Sequence, residues 1–144
     1  MLPWTRRRAE PGDREFFWQL RREAFRGYAE PLFGWDDARR RRDADAEFAS
    51  LPLEILEQDG RAIGYVCVLH CEDHDFLDEL ALVAECRGQG VGSAVVRAAM
   101  DAARDRGVPL RLSVLATNPA AKLYERLGFR VFTVDASRIR MEWP

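Results

Sequence analysis

A chain of 144 residues fits a single domain covering residues 1–144, and its composition and charge exclude several other classes of protein. Hydrophobic residues make up 47% of the chain and charged residues 32%, which is a globular balance rather than that of a disordered chain. The formal net charge of −2 argues against nucleic acid as the main partner, because phosphate binding requires an excess of Lys and Arg.

Targeting and membrane signals are missing from the sequence. No apolar run approaches the roughly 18 to 20 residues of a membrane helix. A signal peptide has an apolar stretch next to its positive charges, and Met1–Arg8 is not followed by one. Three cysteines are too few and too odd in number for a disulfide framework. We therefore expect a cytoplasmic protein with no membrane partner.

The first elements are predicted to be a short strand and a helix. Leu2–Arg8 is a candidate edge strand, closed by the turn residues Pro11–Asp13. Apolar residues then recur at mostly three- and four-residue spacing and form one helical stripe: Phe16, Phe17, Leu20, Ala24 and Tyr28. Pro31 and Gly34 are expected to break this helix.

A second, highly charged helix is predicted from about Asp36 to Phe48. Its four consecutive arginines, Arg39–Arg42, are the kind of run that binds nucleic acid. Acidic residues on both sides offset their charge, so a solvated helix face is the better interpretation.

From residue 51 the hydrophobic period changes to that of strands. Leu53–Leu56 and Ala62–Leu69 flank Asp59-Gly60, the strongest short signal for a hairpin. A third run, Phe76–Val83, is continuously apolar after its two carboxylates, as in a central strand. The remaining predicted elements are a helix from Val91 to Gly107, a strand over Leu110–Val114, a helix over Asn118–Leu127, and strands over Arg130–Val134 and Ile139–Trp143.

This order of elements predicts an α/β protein. Antiparallel hairpins early in the chain and a helical crossover in the middle give a three-layer α/β/α sandwich around a mixed sheet. The last strand, which ends at Trp143, is interpreted as an edge strand or as the contact of a homodimer.

A glycine-rich segment joins the buried run at Leu80–Val83 to the helix that starts at Val91. Glycines allow close approach of a ligand to the backbone and positive φ angles. The unpaired N–H groups at a helix start, together with the positive end of the helix dipole, bind anions. The segment therefore predicts a phosphate site directly after a strand.

Three kinds of phosphate loop compete for this segment. A nucleotide P-loop needs a lysine that Gly92-Ser93-Ala94 does not supply. A dinucleotide fingerprint needs a third glycine where positions 93 and 95 hold none. The third pattern, Arg-x-x-Gly-x-Gly, is met in full by Arg87, Gly90 and Gly92. In this pattern the sequence resembles the GNAT superfamily of N-acetyltransferases.

A second block strengthens the resemblance. A strand is followed by Asn118, then by Leu123-Tyr124-Glu125 and Leu127-Gly128-Phe129, in the order and spacing that the family shows. The resemblance covers about residues 50–143, whereas residues 1–49 match only in their order of elements. Taken alone, Tyr124 could be a core aromatic residue and Asn118 a helix N-cap.

The resemblance implies a GNAT-like, mostly antiparallel sheet whose central strand pair splays apart. It also implies direct transfer of an acetyl group from acetyl-coenzyme A to an amine in a ternary complex, with a backbone N–H near Leu82 stabilising the oxyanion. The residues implied to bind the cofactor are Leu82, Val83, Arg87, Gly88, Gln89, Gly90, Val91, Gly92, Ser93 and Asn118.

The implied reaction needs an acid and a base, and the family places its base variably. Tyr124 matches the acid that protonates the departing sulfur. Glu79, beside Asp78 on the central strand, is the candidate base that deprotonates the amine, and the alternative for both carboxylates is a solvated strand start.

The acceptor is expected to be a small-molecule or peptide amine, bound where the two N-terminal helices meet. The candidates there are Tyr28, Trp35 and Asp36, for which packing and capping are the alternative interpretation.

One further interpretation is set aside and two are kept open. Cys67, His70, Cys71 and His74 interleave in a spacing unlike that of a zinc site, so no metal is expected. The alternative function is a non-catalytic acyl-coenzyme A-binding or sensor module on the same fold. A nucleotide-binding protein that uses Gly88–Gly92 is a second rival.

Overall fold

The computed structural model describes residues 3–144, and its elements follow the predicted order. The helices are α1 (Arg14–Phe33), α2 (Asp37–Ser50), α3 (Val91–Arg106) and α4 (Ala120–Arg126). The strands are β1 (Thr5–Arg8), β2 (Leu53–Gln58), β3 (Arg61–His70), β4 (Asp75–Leu82), β5 (Leu110–Leu115), β6 (Arg130–Val134) and β7 (Arg138–Trp143). Leu2, where the first strand was predicted to begin, lies outside the described residues. Between residues 3 and 144, no helix is both long enough and apolar enough to cross a bilayer.

Within residues 3–144, seven strands form one sheet in the order β1-β2-β3-β4-β5-β7-β6. The pair β4–β5 is parallel and the other neighbouring pairs are antiparallel. Side chains of α1 and α2 pack on one face of this sheet, and side chains of α3 and α4 pack on the other. The predicted three-layer α/β/α sandwich is confirmed.

The two cores follow from the apolar faces of the helices. In α3 the buried side chains recur at helical spacing: Val91, Val95, Val96, Ala99, Met100 and Ala103. Burying each valine contributes about 1.5 kcal/mol or more. Gly107 ends α3 in the left-handed region (φ 75°) and donates its N–H to the carbonyl of Ala103. On the opposite face, Phe17 of α1 packs its ring edge-on against Tyr65 of β3, with centroids 4.7 Å apart.

The predicted hairpin between β2 and β3 is confirmed. Gln58 pairs with Arg61, and the two residues between them both have positive φ, 54° at Asp59 and 71° at Gly60. A two-residue turn with both φ angles positive matches the right-handed twist of the strands it joins.

Two expectations about element ends are wrong. Of the two residues expected to break α1, Gly34 does end it, but Pro31 does not, because α1 continues to Phe33 with the proline inside it. The missing N–H costs one hydrogen bond in the last turn, and Gly34 still donates to the carbonyl of Glu30 at 2.9 Å. The strand that ends at Trp143 is not an edge strand either, because β7 lies between β5 and β6.

The edge is formed by β6, which folds back as a hairpin with β7. Val131, Phe132 and Val134 on this strand are exposed, with relative accessibilities of 44%, 50% and 65%. A homodimer contact at this end of the sheet stays a prediction.

Candidate active site

The central strands β4 and β5 pair only where both begin. Asp75–Leu77 lie opposite Leu110–Leu112, and within residues 3–144 the pairing of these two strands goes no further. Beyond this point β4 stays paired with β3, and β5 stays paired with β7. The two strands therefore leave between them main-chain groups that a closed sheet would use for its own hydrogen bonds. The predicted splayed central pair is confirmed.

A β-bulge in β4 lies where the splay begins. Cys67 of β3 opposes Glu79 and its neighbour Val68 opposes Leu77, so Asp78 is the extra residue. The bulge changes which side chains face each layer. Leu77 and Leu80 both contact the core beside α3, whereas Glu79 forms an ion pair with α1 on the other face.

The splay opens into a cavity of about 520 Å³ between the α1–α2 layer and the two strands. Its lining from the helical layer consists of Trp18, Arg21, Phe25, Ala29, Trp35, Arg40, Asp43, Ala46 and Glu47. The sheet side contributes residues 77–80 of β4, residues 112–115 of β5, and Asn118, Ala120, Tyr124 and Arg138. The cavity therefore brings α1–α2 residues together with the motif that contains Tyr124.

Glu79 shares one arginine with a second carboxylate. Arg21 of α1 forms an ion pair with Glu79, whose Oε1 lies 2.9 Å from Nη2, and it donates a hydrogen bond to Glu47 of α2 through Nη1. Burial raises the pKa of Glu79, and the charge of Arg21 opposes that rise. The Tyr65 hydroxyl lies close enough to Glu79 to lower this pKa as well. The second oxygen, Oε2, is buried and makes no hydrogen bond of normal geometry to the described residues. Glu79 therefore has one carboxylate oxygen that Arg21 does not occupy.

Asp78 is a second carboxylate in the cavity. It is partly buried, and no ion pair reaches it from any residue that the structure describes. Burial, followed by the negative charge of Glu47, raises the pKa of Asp78 above its usual value. Both carboxylates considered in the sequence analysis thus line the cavity rather than a solvated strand start.

Tyr124 reaches the cavity from α4, on the other side of the splay. Its side chain is 9% exposed, and its ring packs edge-on against Phe129 with centroids 5.6 Å apart. Burial raises the pKa of Tyr124 to about 12. The phenol therefore keeps its proton at neutral pH and can donate it.

Asn118 also lines the cavity, just before α4. Its Oδ1 accepts a 2.9 Å hydrogen bond from the N–H of Ala120, the first residue of α4. The N-cap position itself is held by Pro119, so the predicted N-cap role is not the one that Asn118 has. The bond to Ala120 nevertheless fixes its side chain at the cavity wall.

The glycine segment exposes main-chain groups ahead of α3. Gly88 and Gly90 lie in the left-handed region, with φ of 75° and 85°, and Gly90 is the N-cap of α3. A Cβ atom built on either glycine would meet no atom within 4 Å. The segment thus combines open space with the N–H groups of the first helical turn, which is the arrangement that an anionic group needs. Val91 is fully buried, so only its main chain can contribute.

Two polar side chains of this segment bind neighbouring parts of the protein. Arg87 Nε donates to the carbonyl of Leu82 at 2.9 Å, and its guanidinium pairs with Glu23 of α1 at 2.7 Å. Gln89 donates to the carbonyl of Glu85 at 2.9 Å. The N–H of Val83 is already bonded to Ile63 of β3. A Cβ on Gly92 would lie 3.7 Å from Leu82, at the end of β4.

The three acceptor candidates differ in their placement. Trp35 lines the cavity, and its indole N–H donates to Asp37 at 2.7 Å. Asp36 caps α2 by accepting the N–H of Arg39 at 3.1 Å, and it is not part of the cavity lining. The Tyr28 side chain is not part of the lining either, and its carbonyl accepts a 2.6 Å hydrogen bond from Thr117.

Sequence reasoning missed several residues that line the cavity. Phe25 and Ala29 line it from α1 where Tyr28 was expected. Arg21 and Glu47 were not identified, because their meeting with Glu79 depends on the packing of three elements distant in sequence. The continuation of the helical stripe on either side of Tyr28 was the only signal for Phe25 and Ala29.

The comparisons with known proteins agree with this geometry. The model of the acetyltransferase (GNAT) family matches residues 14–129. The chain belongs to the GNAT family. A curated relative, mycothiol acetyltransferase from Thermomonospora curvata, is 32% identical over 135 residues, which are 91% of this chain and 46% of that protein. The chain therefore spans about half the length of this GNAT relative.

Solved structures share the GNAT fold over nearly the whole chain. The PaiA N-acetyltransferase from Thermoplasma acidophilum in complex with coenzyme A has a TM-score of 0.77 at 17% identity, covering 98% of each chain. The ribosomal-protein-S18-alanine N-acetyltransferase from Escherichia coli has a TM-score of 0.71 at 25% identity, covering 99% of this chain and 94% of that one.

Proposed function

We propose that this chain transfers an acetyl group from acetyl-coenzyme A to a primary amine by direct attack in a ternary complex. The observation that carries the proposal is the parting of β4 and β5 beyond Leu77 and Leu112, with Tyr124 on one side of the gap and Glu79 on the other. A thioester held in the gap would meet an acid on one side and a base on the other.

The residues present fit the cofactor. The diphosphate would lie on the main chain of Gly88–Ser93, where the left-handed glycines leave open space and the first turn of α3 presents its N–H groups. The pantetheine arm would run along β4 toward Leu82, beside Asn118, using the main chain that β5 leaves unpaired. A backbone N–H near Leu82 would stabilise the negative charge on the carbonyl oxygen.

The proposed reaction takes two protons from the ammonium and gives one to the sulfur. Glu79, with Asp78 beside it, takes the first proton, directly or through water, so that the free amine can attack the thioester carbonyl. The carbon–sulfur bond then breaks, and Tyr124 gives its proton to the departing coenzyme A sulfur. The nitrogen loses its second proton as the amide forms, and this proton restores the Tyr124 hydroxyl directly or through water. The pKa of Tyr124, raised to about 12 by burial, keeps the phenol protonated for this step.

The acceptor is proposed to enter from the α1–α2 side of the cavity. Trp35 lines that side, whereas Tyr28 and Asp36 would act only through the segments that they fix. The name of the curated relative supports acetyl as the transferred group. Because coenzyme A thioesters are used in the cytoplasm, we place the reaction there.

The test is the release of free coenzyme A thiol from acetyl-coenzyme A with a panel of amines, with mass spectrometry of the acetylated product. Transfer that depends on both substrates supports the proposal. Calorimetric binding of acetyl-coenzyme A without transfer to any amine would instead indicate the alternative, a non-catalytic acyl-coenzyme A-binding module. Competition by nucleotides that lack pantetheine would indicate a nucleotide-binding protein.

A further inference from the structure

The acceptor cavity contains charged side chains that do not neutralise one another. Arg21 is committed to Glu47 and Glu79, as described above. Arg40 and Asp78 also line the cavity, yet neither takes part in an ion pair anywhere in the described chain. Charged side chains that are partly buried without an ion-pair partner are costly. We therefore infer that each binds a group of opposite charge on a ligand.

Arg40 is held in place without being neutralised. Its guanidinium lies 5.0 Å from the centroid of the Trp35 ring, and the side chain is partly buried. Trp35 is itself fixed by the hydrogen bond from its indole to Asp37. Stacking on an aromatic ring orients a guanidinium but leaves its N–H donors free, and a planar guanidinium is suited to bind a carboxylate with two hydrogen bonds.

Asp78 provides the opposite charge at the splay. It is the bulged residue of β4 and adjoins the proposed base, Glu79. An ammonium bound there would be next to the group that deprotonates it. Asp43, three residues after Arg40 on α2, also lines the cavity without an ion-pair partner in the described residues, and it adds a further negative charge to the lining.

We propose that the acetyl acceptor is an amino carboxylate, an amine that carries its own anionic group, with the ammonium at Asp78 and the carboxylate at Arg40. This inference rests on the proposed function, because it names the substrate class of the same site. Arg40 lies at the N-terminal end of α2, whereas Glu47, which reaches Glu79 through Arg21, lies seven residues further along that helix. Seven residues of α-helix span about 10 Å, so we expect several bonds between the ammonium and the carboxylate.

The test is a ladder of unbranched amino carboxylates from glycine to 6-aminohexanoate, each compared with the alkylamine of the same chain length. We expect kcat/KM to favour the amino carboxylate by about tenfold at the chain length that spans the two charges. The preferred length measures the distance between the bound ammonium and the bound carboxylate.

Three variants locate the binding site of the carboxylate. Arg40→Gln is expected to remove the preference, so that each amino carboxylate and its alkylamine react alike. Arg42→Gln is the matched control, because Arg42 is an exposed arginine of the same helix outside the cavity lining. It should keep the preference. For each variant we compare the ratio of kcat/KM for the amino carboxylate to kcat/KM for the alkylamine with the same ratio in the unsubstituted enzyme. This comparison cancels the difference in intrinsic reactivity between the two amines. Arg138 also lines the cavity, so Arg138→Gln tests the alternative binding site for the carboxylate. A preference that is lost in Arg138→Gln but kept in Arg40→Gln would overturn the assignment to Arg40.

The remaining outcomes separate this inference from the proposed function. Transfer to amines without any preference for a carboxylate overturns the inference and leaves the acetyltransferase proposal intact. The same holds if spermidine or a peptide N-terminus is acetylated while every member of the ladder is refused. Absence of transfer to every amine, with acetyl-coenzyme A still bound in calorimetry, overturns the proposed function and the inference with it.

Discussion

The Nε atom of Arg87 donates a 2.9 Å hydrogen bond to the carbonyl oxygen of Leu82, five residues earlier in the chain. Arg87 is the first residue of the Arg-x-x-Gly-x-Gly pattern, and Leu82 is the last residue of β4. The bond ties the end of the strand proposed to carry pantetheine to the loop proposed to carry the diphosphate. The guanidinium also contacts Glu23 of α1. The arginine thus fixes the relative placement of two parts of the cofactor site.

The first prediction tests this role of Arg87. Arg87→Ala should weaken acetyl-coenzyme A binding about tenfold, because the loop is no longer held against Leu82. The thermal midpoint should change little, since the ion pair with Glu23 is largely exposed and contributes at most about 1 kcal/mol. Isothermal calorimetry measures the affinity. Glu23→Gln, which leaves the bond to Leu82 in place, is the control. Equal losses in both variants would show that the ion pair, and not that bond, matters.

The second prediction separates the ligand role of a glycine from its backbone role. Gly90 and Gly107 both adopt left-handed φ at the two ends of α3, and both would place a Cβ in open space. Substitution of either by alanine should cost about 1 kcal/mol of folding free energy. Of the two variants, only Gly90→Ala should weaken acetyl-coenzyme A binding, because its methyl group occupies the space proposed for the diphosphate. We expect a loss of about tenfold in affinity, which corresponds to about 1.4 kcal/mol. Unchanged affinity in Gly90→Ala would place the anion site elsewhere.

The third prediction concerns the acid. Tyr124→Phe should lower kcat on the order of 10²-fold, with little change in the Kd for acetyl-coenzyme A, because only the proton donor is removed. The ring still packs on Phe129, so the thermal midpoint should be nearly unchanged. Because the pKa of Tyr124 is about 12, the rate should not fall through ionisation of this residue below about pH 11. A variant with full turnover would remove Tyr124 from the acid role.

What the sequence predicted well was local. The glycine pattern after β4 and the block around Tyr124 each depend on neighbouring residues, and both took their expected places on a loop and a helix. The Asp59-Gly60 turn was predictable for the same reason, since its φ angles depend on those two residues.

What it predicted poorly depends on contacts between distant segments. The place of β7 inside the sheet follows from its pairing with both β5 and β6, which no residue of the strand encodes alone. Four residues of the predicted stripe in α1 do pack in the core of this face, whereas Tyr28 does not. Trp18 and Ala29, which were not in the stripe, are buried as well. The periodicity of apolar residues predicts which face of a helix is buried, but it does not predict which elements pack against that face.

The fourth prediction concerns the closed end of the splay. Asp75 is fully buried at the start of β4, where it binds Arg106 of α3 at 2.9 Å and His70 of β3 at 2.9 Å. Asp75→Ala should destabilise the fold by about 2 kcal/mol, which is less than for a fully buried pair because Arg106 is partly solvated. Urea denaturation measures the change. The control is Asp105→Ala, which removes an exposed carboxylate next to Arg106 in the sequence. It should change the free energy of unfolding by less than about 0.5 kcal/mol.

The direction of the Glu79 pKa sets the last prediction. Burial raises this pKa above its usual value, and the positive charge of Arg21 holds it lower than burial alone would. A base must be unprotonated to accept a proton, so activity should fall as the pH drops through the raised pKa. Removing Arg21 removes the opposing charge and must move that fall to higher pH.

We therefore expect kcat at saturating acceptor to show an acidic limb whose midpoint lies above the ordinary range for glutamate. Arg21→Gln should shift the midpoint upward, whereas Arg22→Gln, which loses a more exposed arginine paired with Asp37, should not. Glu79→Gln should lower kcat about 10²-fold and remove the limb. A limb that persists in Glu79→Gln would assign the titration to another group, with Asp78 as the next variant to measure. Thermal unfolding of each variant distinguishes a moved pKa from a loss of folded protein, because only the former leaves the transition in place while the pH profile changes.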